Sequence, residues 1–113
     1  MIKIKAIEFQ FFSGCPNADE TLANLREVMT EHGINSNILK LTEVPDLESA
    51  ENLNFQGSPT ILLDGKDVYT GDEPKGYSYS CRVYTFGECQ TGVIPKDYIK
   101  EKLTKELIVP LRI

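Results

Sequence analysis

Phe12-Ser13-Gly14-Cys15-Pro16-Asn17-Ala18 joins a predicted strand to a predicted helix. Before it, residues 4–12 are rich in isoleucine and phenylalanine, which favours a largely buried strand. After it, Pro16 suits the first position of a helix, because the N–H that proline lacks would have no partner there. The stretch therefore predicts a strand that ends at Ser13-Gly14, a helix that begins at Pro16, and Cys15 at their junction.

The predicted first helix extends from Pro16 to His32-Gly33. One apolar stripe recurs along it at steps of four, three and four residues, formed by Ala18, Leu22, Leu25 and Met29. Gly33 is the expected left-handed residue that ends the helix.

The remaining elements follow from shorter patterns. Asp64-Gly65 predicts a tight hairpin turn, and Val68-Tyr69 is expected to begin the returning strand. The other predictions are a strand at residues 34–41, a short helix opened by Pro45-Asp46, a continuously apolar strand at residues 60–63, and a last helix from Pro95 with Tyr98, Ile99, Leu103 and Leu107 on one face, stopped by Pro110.

The predicted order is β-α-β-α-β-β-α, an α/β fold in a single domain over residues 1–113. Consecutive β-α-β units predict parallel strands with right-handed crossovers, and the hairpin adds an antiparallel edge strand. Residues 70–94 form an irregular insertion before the C-terminal helix, with an extra strand considered at residues 82–86.

Composition narrows the function classes. The chain is 41% hydrophobic and 26% charged, with a formal net charge of -5 and no basic cluster. Nucleic-acid binding needs a basic footprint, so neither nucleic acid nor a membrane surface is an expected partner. The N-terminus lacks the apolar run of a signal peptide, so a cytoplasmic protein with reduced cysteines is expected.

Cys15 is the first candidate for chemistry. Unpaired N–H groups at a helix start stabilise a thiolate, the form that attacks disulfides or binds soft metals. Gly14 would allow close approach to the thiol, and Pro16 would fix the helix start. The alternative interpretation is a small buried side chain at a strand end.

A second feature is Gly57-Ser58-Pro59-Thr60, because a proline directly before a central strand is unusual unless it makes a special turn. Together with Cys15-Pro16 after the first strand, it resembles the thioredoxin and glutaredoxin superfamily. The resemblance implies a cis bond at Pro59, which faces Cys15. The substrate-binding surface it implies comprises Gly14, Pro16, Ser58, Pro59 and Thr60, to which we add Arg82.

The chain is more closely similar to a group of small bacterial and archaeal thioredoxin-like proteins. The shared motifs are Gly-Cys-Pro-Asn at residues 14–17, Gly-Ser-Pro-Thr-x-Leu-x-Asp-Gly at residues 57–65, and Ser-Cys-Arg-x-Tyr at residues 80–84. Members are described as thioredoxin-like or labelled organomercurial lyases by loose analogy. The resemblance thus implies a fold more strongly than a reaction.

The chain departs from the family pattern at Ala18, where a dithiol oxidoreductase has its second cysteine. The usual dithiol cycle cannot run within this motif. Monothiol glutaredoxins also lack that cysteine, but they bind glutathione through a basic residue near the first one. No lysine or arginine lies between Lys5 and Arg26, which argues against glutathione.

Cys81 is the candidate for a distant resolving cysteine. A disulfide with Cys15 would need the two Cα atoms within roughly 7 Å, and Arg82 could stabilise a thiolate or an anionic substrate. The alternative is a core cysteine beside an exposed arginine. The frequent burial of free cysteine favours this alternative.

Cys89 and His32 are weaker candidates for a catalytic or metal-binding role. Cys89 is flanked by polar residues and glycine, which indicates an exposed loop. The three cysteines contain no Cys-x-x-Cys pair, so we expect no zinc or iron–sulfur site and no cofactor. His32 lies at the far end of the predicted helix from Cys15, which argues against a Cys–His pair, and is expected to interact with the carbonyls there.

Three hypotheses follow, in order of preference. The first is a thiol-dependent oxidoreductase with Cys15 as nucleophile, possible resolution by Cys81, and a protein or small-molecule thiol or disulfide as partner. The second is a non-enzymatic binding module that uses the Pro59 face or an apolar patch around Tyr77, Tyr79 and Tyr84. The third is soft-metal or organomercurial binding by the Cys15 and Cys81 thiolates.

Overall fold

The computed structural model describes residues 4–107. Its elements are β1 (Ile7–Phe11), α1 (Ala18–Glu31), a short 3-10 helix (Ser36–Ile38), β2 (Leu39–Glu43), α2 (Leu47–Leu53), β3 (Thr60–Leu63), β4 (Lys66–Asp67), β5 (Tyr84–Phe86), β6 (Cys89–Thr91) and α3 (Lys96–Leu107). The predicted mixed α/β fold is confirmed.

Four strands form the main sheet in the order β2-β1-β3-β4. The first crossover gives parallel strands, with Ile7 opposite Leu39. β3 runs antiparallel to β1, with Ile7 opposite Leu63, so the prediction of consecutive parallel strands is wrong for β3. The connection through α2 starts at the end of β2 and enters β3 at the same end of the sheet, so β3 runs back in the opposite direction. At that end of the sheet, Phe12 N–H donates to Ser58 Oγ at 3.3 Å.

The hairpin between β3 and β4 is confirmed. Asp64 and Gly65 have φ angles of 51° and 85°, as a tight hairpin turn requires. Pairing begins earlier than predicted, at Lys66 opposite Leu63, and Val68 N–H continues it by donating to Ile61 O at 2.9 Å.

Two element boundaries differ from the predictions. α1 begins at Ala18 after an Asn17 N-cap, two residues later than expected from Pro16. β2 begins at Leu39 because the chain first forms the 3-10 helix, whose start is capped by Asn35 Oδ1 accepting from Asn37 N–H at 2.8 Å. The end of α1 follows the prediction, with Gly33 at φ 67°.

The main core lies between the sheet and the helices α1 and α3. Its buried side chains include Ile7, Phe9, Leu25, Val28, Ile61, Ile94, Ile99 and Leu103. A smaller core of Val44, Ala50 and Phe55 lies under α2 and contacts Phe12. The predicted roles of the Leu107 side chain and of Pro110 fall outside the described residues.

The 70–94 insertion contains a second, two-stranded sheet of β5 and β6. Its strand begins at Tyr84, two residues later than predicted. Tyr84 is fully buried, and its ring meets that of Tyr69 at 4.8 Å between centroids. Phe86 meets Tyr98 of α3 at 4.7 Å, so aromatic contacts fasten the insertion to the body.

Candidate functional site: a thiol beside a proline loop

Cys15 lies in a short connection that we call the thiol loop, residues 12–17. Its N–H donates to Phe12 O at 3.3 Å, and its carbonyl accepts from Ala18 N–H at the same distance. The residue is 7% exposed. Because the helix begins at Ala18, Cys15 precedes the N-cap by two residues and does not lie within the first helical turn.

Residues 57–60, which we call the proline loop, face this thiol. The Ser58–Pro59 peptide bond is cis, and the Cys15 Sγ donates to Ser58 O at 3.7 Å. Ser58 Oγ accepts from Phe12 N–H, so this one serine contacts both ends of the turn that carries Cys15. The juxtaposition that the resemblance implies is therefore present.

The predicted substrate-binding residues divide by exposure. Gly14 and Pro16 are exposed, whereas Ser58, Pro59 and Thr60 are buried. Thr60 Oγ1 donates to Gly57 O at 2.6 Å, which closes the proline loop on itself.

A third segment, residues 78–82, lies along the proline loop, and we call it the Cys81 arm. Ser58 N–H donates to Ser80 O, and Arg82 N–H donates to Ser58 O, both at 2.9 Å. These two bonds make a parallel bridge in which Cys81 is the partner of Ser58. At the start of the arm, Ser78 N–H donates to Phe55 O at 2.7 Å.

The bridge brings the two cysteines to the same serine. The Ser58 carbonyl oxygen accepts from Cys15 Sγ at 3.7 Å and from Arg82 N–H at 2.9 Å. The sum of these two distances is therefore the upper limit for the separation between the Cys15 sulfur and the backbone nitrogen of Arg82. Residues paired across a bridge also place their side chains on the same side of the sheet. The Cys81 side chain therefore shares the side on which Ser58 Oγ meets Phe12.

The alternative of a core cysteine beside an exposed arginine is wrong, since the two exposures are reversed. Cys81 is exposed and carries a free thiol. The Arg82 side chain is 11% exposed and forms an ion pair with Asp67, whose side chain is 1% exposed, at 2.7 Å. The guanidinium thus has a carboxylate partner, and its contact with a thiolate or an anionic substrate stays a prediction.

Tyr84 also contacts the proline loop. Its O–H donates to the Pro59 carbonyl. Burial raises the pKa of Tyr84 well above its usual range, against the opposing effect of the Arg82 charge. The phenol therefore stays protonated, and remains a donor, throughout the physiological pH range.

Sequence reasoning missed the anchors of the arm. Asp67 follows a hairpin turn, and nothing near it in the sequence indicates a partner, although Arg82 and Tyr84 both belong to the motif at residues 80–84. Tyr79 is a further anchor: its ring meets that of Phe12 at 5.4 Å, and its O–H donates to Val44 O at 3.0 Å.

The predicted apolar patch forms only in part. Tyr77 and Tyr79 are 45% and 36% exposed, but Tyr84 is buried. A binding surface centred on all three rings is therefore wrong.

The remaining candidates lie elsewhere. His32 ends α1, where its Nε2 contacts Thr104 Oγ1 at 3.1 Å and its own N–H donates to the last carbonyls of the helix. Cys89 is exposed, as predicted, but it lies in strand β6 and not in a loop. Among residues 4–107, no group of three or more histidine, cysteine or acidic side chains is placed to hold a metal ion. Over the same residues, no helix combines the length and apolarity needed to cross a membrane.

A sheet of order β2-β1-β3-β4, a cysteine after β1 and a cis-proline before β3 define a protein of the thioredoxin fold. The family model of the thioredoxin domain matches residues 5–79, and the chain belongs to that family. Thioredoxin from Methanocaldococcus jannaschii is 28% identical over 74 residues, which cover 66% of this chain and 81% of that protein. No solved structure matches significantly. The family match ends before Cys81, Arg82 and Tyr84.

Proposed function

We propose that this protein is a thiol–disulfide oxidoreductase in which Cys15 attacks a disulfide and Cys81 resolves the product. Membership of the thioredoxin family supports thiol-redox chemistry in general. The observation that carries the finer assignment is the shared carbonyl of Ser58, which contacts the Cys15 thiol and the backbone that follows Cys81. Ala18 occupies the position where a dithiol oxidoreductase has its resolving cysteine, and in this proposal Cys81 of the arm takes over that role.

The reaction balances in two exchange steps. The Cys15 thiolate attacks one sulfur of a substrate disulfide, forms a mixed disulfide and expels the first substrate thiolate. The Cys81 thiolate then attacks the Cys15 sulfur, forms the Cys15–Cys81 disulfide and expels the second substrate thiolate. The protein loses two electrons, the substrate gains them, and the two protein thiol protons end on the two released thiolates. An external dithiol returns the protein to its reduced form.

The partner in this proposal is a protein or small-molecule disulfide, and the compartment is the cytoplasm. Cytosolic thiols are kept reduced, which is the state from which the first attack starts. All three cysteines are free in the structure.

The test uses one equivalent of 5,5′-dithiobis(2-nitrobenzoate) per protein, in a Cys89→Ser background that leaves only the two proposed partners. The expected result is two released thiolates per reagent and a protein whose mass fits an internal disulfide without an adduct. Cys81→Ser should release one thiolate and keep the adduct on Cys15.

Two results would contradict the proposal. A stable adduct in the parent protein would show that Cys81 does not resolve. An adduct that forms on Cys81 in Cys15→Ser at the full parental rate would reverse the two roles, because Cys81 is the more exposed thiol.

A further inference from the structure

Arg82 anchors the Cys81 arm through side-chain contacts with four residues. Its Nη1 pairs with Asp67 Oδ2 at 2.7 Å and donates to Thr60 Oγ1 at 3.0 Å. The guanidinium carbon also lies 4.6 Å from the ring centroid of Tyr84 and 5.6 Å from that of Tyr69. One guanidinium nitrogen thus contacts an acid and a hydroxyl, while the guanidinium carbon lies over two aromatic rings, and a delocalised cation makes this combination of contacts more readily than an ammonium group.

The same residue sets the register of the arm. Arg82 N–H donates to Ser58 O at 2.9 Å, directly after Cys81 in the chain. Gly57 permits this approach, since a Cβ there would lie 3.0 Å from Arg82 Cβ and 3.1 Å from Ser80 O. One residue thus anchors the arm in the core and aligns Cys81 with Ser58.

We propose that Arg82 is a positioning residue for the disulfide between Cys15 and Cys81. The inference rests on the proposed function and adds how the exposed thiol is kept beside its partner. A cysteine held in the correct geometry has a high effective concentration, because the entropy of bringing the two sulfurs together is lost on folding and not during the reaction. Without the guanidinium contacts, the Cys81 side chain samples more positions and closes the disulfide less often.

The test compares Arg82→Lys with the parent, both in the Cys89→Ser background, in buffers of reduced and oxidised glutathione. The measured quantity is the fraction of internal disulfide after an acid quench, read by mass spectrometry. We expect the equilibrium constant for the internal disulfide to fall about tenfold, which raises its reduction potential by about 30 mV. Lysine keeps the positive charge but lacks the delocalised planar cation that lies over the two rings.

Lys96→Met is the matched control. It removes a cation from an ion pair between α3 and α1, in which Lys96 Nζ lies 2.8 Å from Glu31 Oε2. We expect the potential of the disulfide to be unchanged in this variant, since the pair does not contact the arm.

The outcomes separate positioning from mere stability. A purely structural Arg82 would lower the urea midpoint of Arg82→Lys and leave the potential of the folded protein unchanged, and that result would overturn the inference. If Arg82→Lys does not fold, Asp67→Asn carries the same expectation, because it removes the charge that pairs with Arg82 Nη1 and keeps the size of the side chain. A parent protein that forms no internal disulfide in any buffer refutes the proposed function itself, which is a different result.

Discussion

The thiol loop and the Cys81 arm hold their cysteines in opposite ways. The thiol loop buries its sulfur, yet its backbone around Cys15 is joined by bonds of 3.3 Å. The arm exposes its sulfur, yet Ser80 and Arg82 bind Ser58 at 2.9 Å on both sides of Cys81. The contrast teaches that the exposure of a side chain and the hydrogen bonding of its backbone are separate properties. A solvent-accessible thiol can lie on a backbone that is hydrogen-bonded on both sides of it.

The largest expected effect comes from removing either thiol. In the stoichiometric disulfide assay, Cys15→Ser should lower the rate of exchange through the site by roughly three orders of magnitude or more, since the proposed nucleophile is gone. Cys81→Ser should leave the first step intact and block only the second. The Cys89→Ser parent is the control, and equal losses in both variants would break the division of roles between loop and arm.

The next effect contrasts a glycine of each loop. Gly57→Ala places a Cβ 3.0 Å from Arg82 Cβ at a φ of +110°, so we expect a loss of about 3 kcal/mol in the free energy of unfolding. Gly14→Ala also has a positive φ, +88°, but meets no atom within 4 Å, so strain alone should cost about 1–2 kcal/mol. Urea denaturation measures both. Equal costs would mean that the arm yields as readily as the thiol loop.

A smaller effect is expected from the bond between Tyr84 and Pro59. Tyr84→Phe leaves a buried carbonyl without its donor, which should lower the free energy of unfolding by about 1–3 kcal/mol. Tyr77→Phe is the control, because Tyr77 is 45% exposed. A loss in Tyr77→Phe as large as in Tyr84→Phe would show that the O–H of Tyr84 adds nothing specific.

The same tyrosine predicts a pH dependence. Its pKa is raised in the folded state by burial, so its contribution to stability is complete below the unfolded pKa of about 10 and is lost as the pH rises above that value. The free energies of unfolding of the parent and of Tyr84→Phe, measured by urea denaturation, should therefore converge above pH 10. Their difference should fall by at most about 1.4 kcal/mol per pH unit. A constant difference between the two proteins from pH 8 to pH 11 would contradict the burial of the phenol.

The smallest effect is expected at the serine that joins the two regions. Ser58→Ala removes the Oγ that accepts from Phe12 N–H at 3.3 Å, and the length of this bond predicts a loss of about 1 kcal/mol or less. The backbone bonds of Ser58 to the arm remain, so disulfide closure should be preserved. Loss of closure in this variant would mean that the thiol loop, and not the arm, controls the alignment of the two sulfurs.

Local chemistry explains which parts of the fold were predictable. The Asp64-Gly65 turn and the end of α1 at Gly33 are predictable, because positions with positive φ strongly favour glycine and, less often, aspartate or asparagine. The direction of β3 is not, because it depends on where the connection through α2 ends. That end is set by contacts such as the one between Ser58 and Phe12, which no local pattern encodes.

In the candidate site, too, the features that depend on contacts between distant residues could not be predicted from local sequence patterns. The meeting of Cys15 with Ser58-Pro59 was expected from a family resemblance and not from spacing. The alternative of a core Cys81 beside an exposed Arg82 reverses the two exposures, because which of two neighbours turns inward depends on Asp67, a carboxylate 15 residues earlier. The sequence around Asp67 does not indicate that this carboxylate is buried or that it pairs with an arginine.

The ion pair between Asp67 and Arg82 crosses the border of the family match, which ends at residue 79. Its acid belongs to the part shared with other thioredoxin domains, and its base lies in the part beyond them. A buried carboxylate without a cation is costly, so neither residue is readily inherited without the other. In an alignment of relatives we expect the aspartate and the arginine to be gained and lost together, and the cysteine before the arginine to follow them.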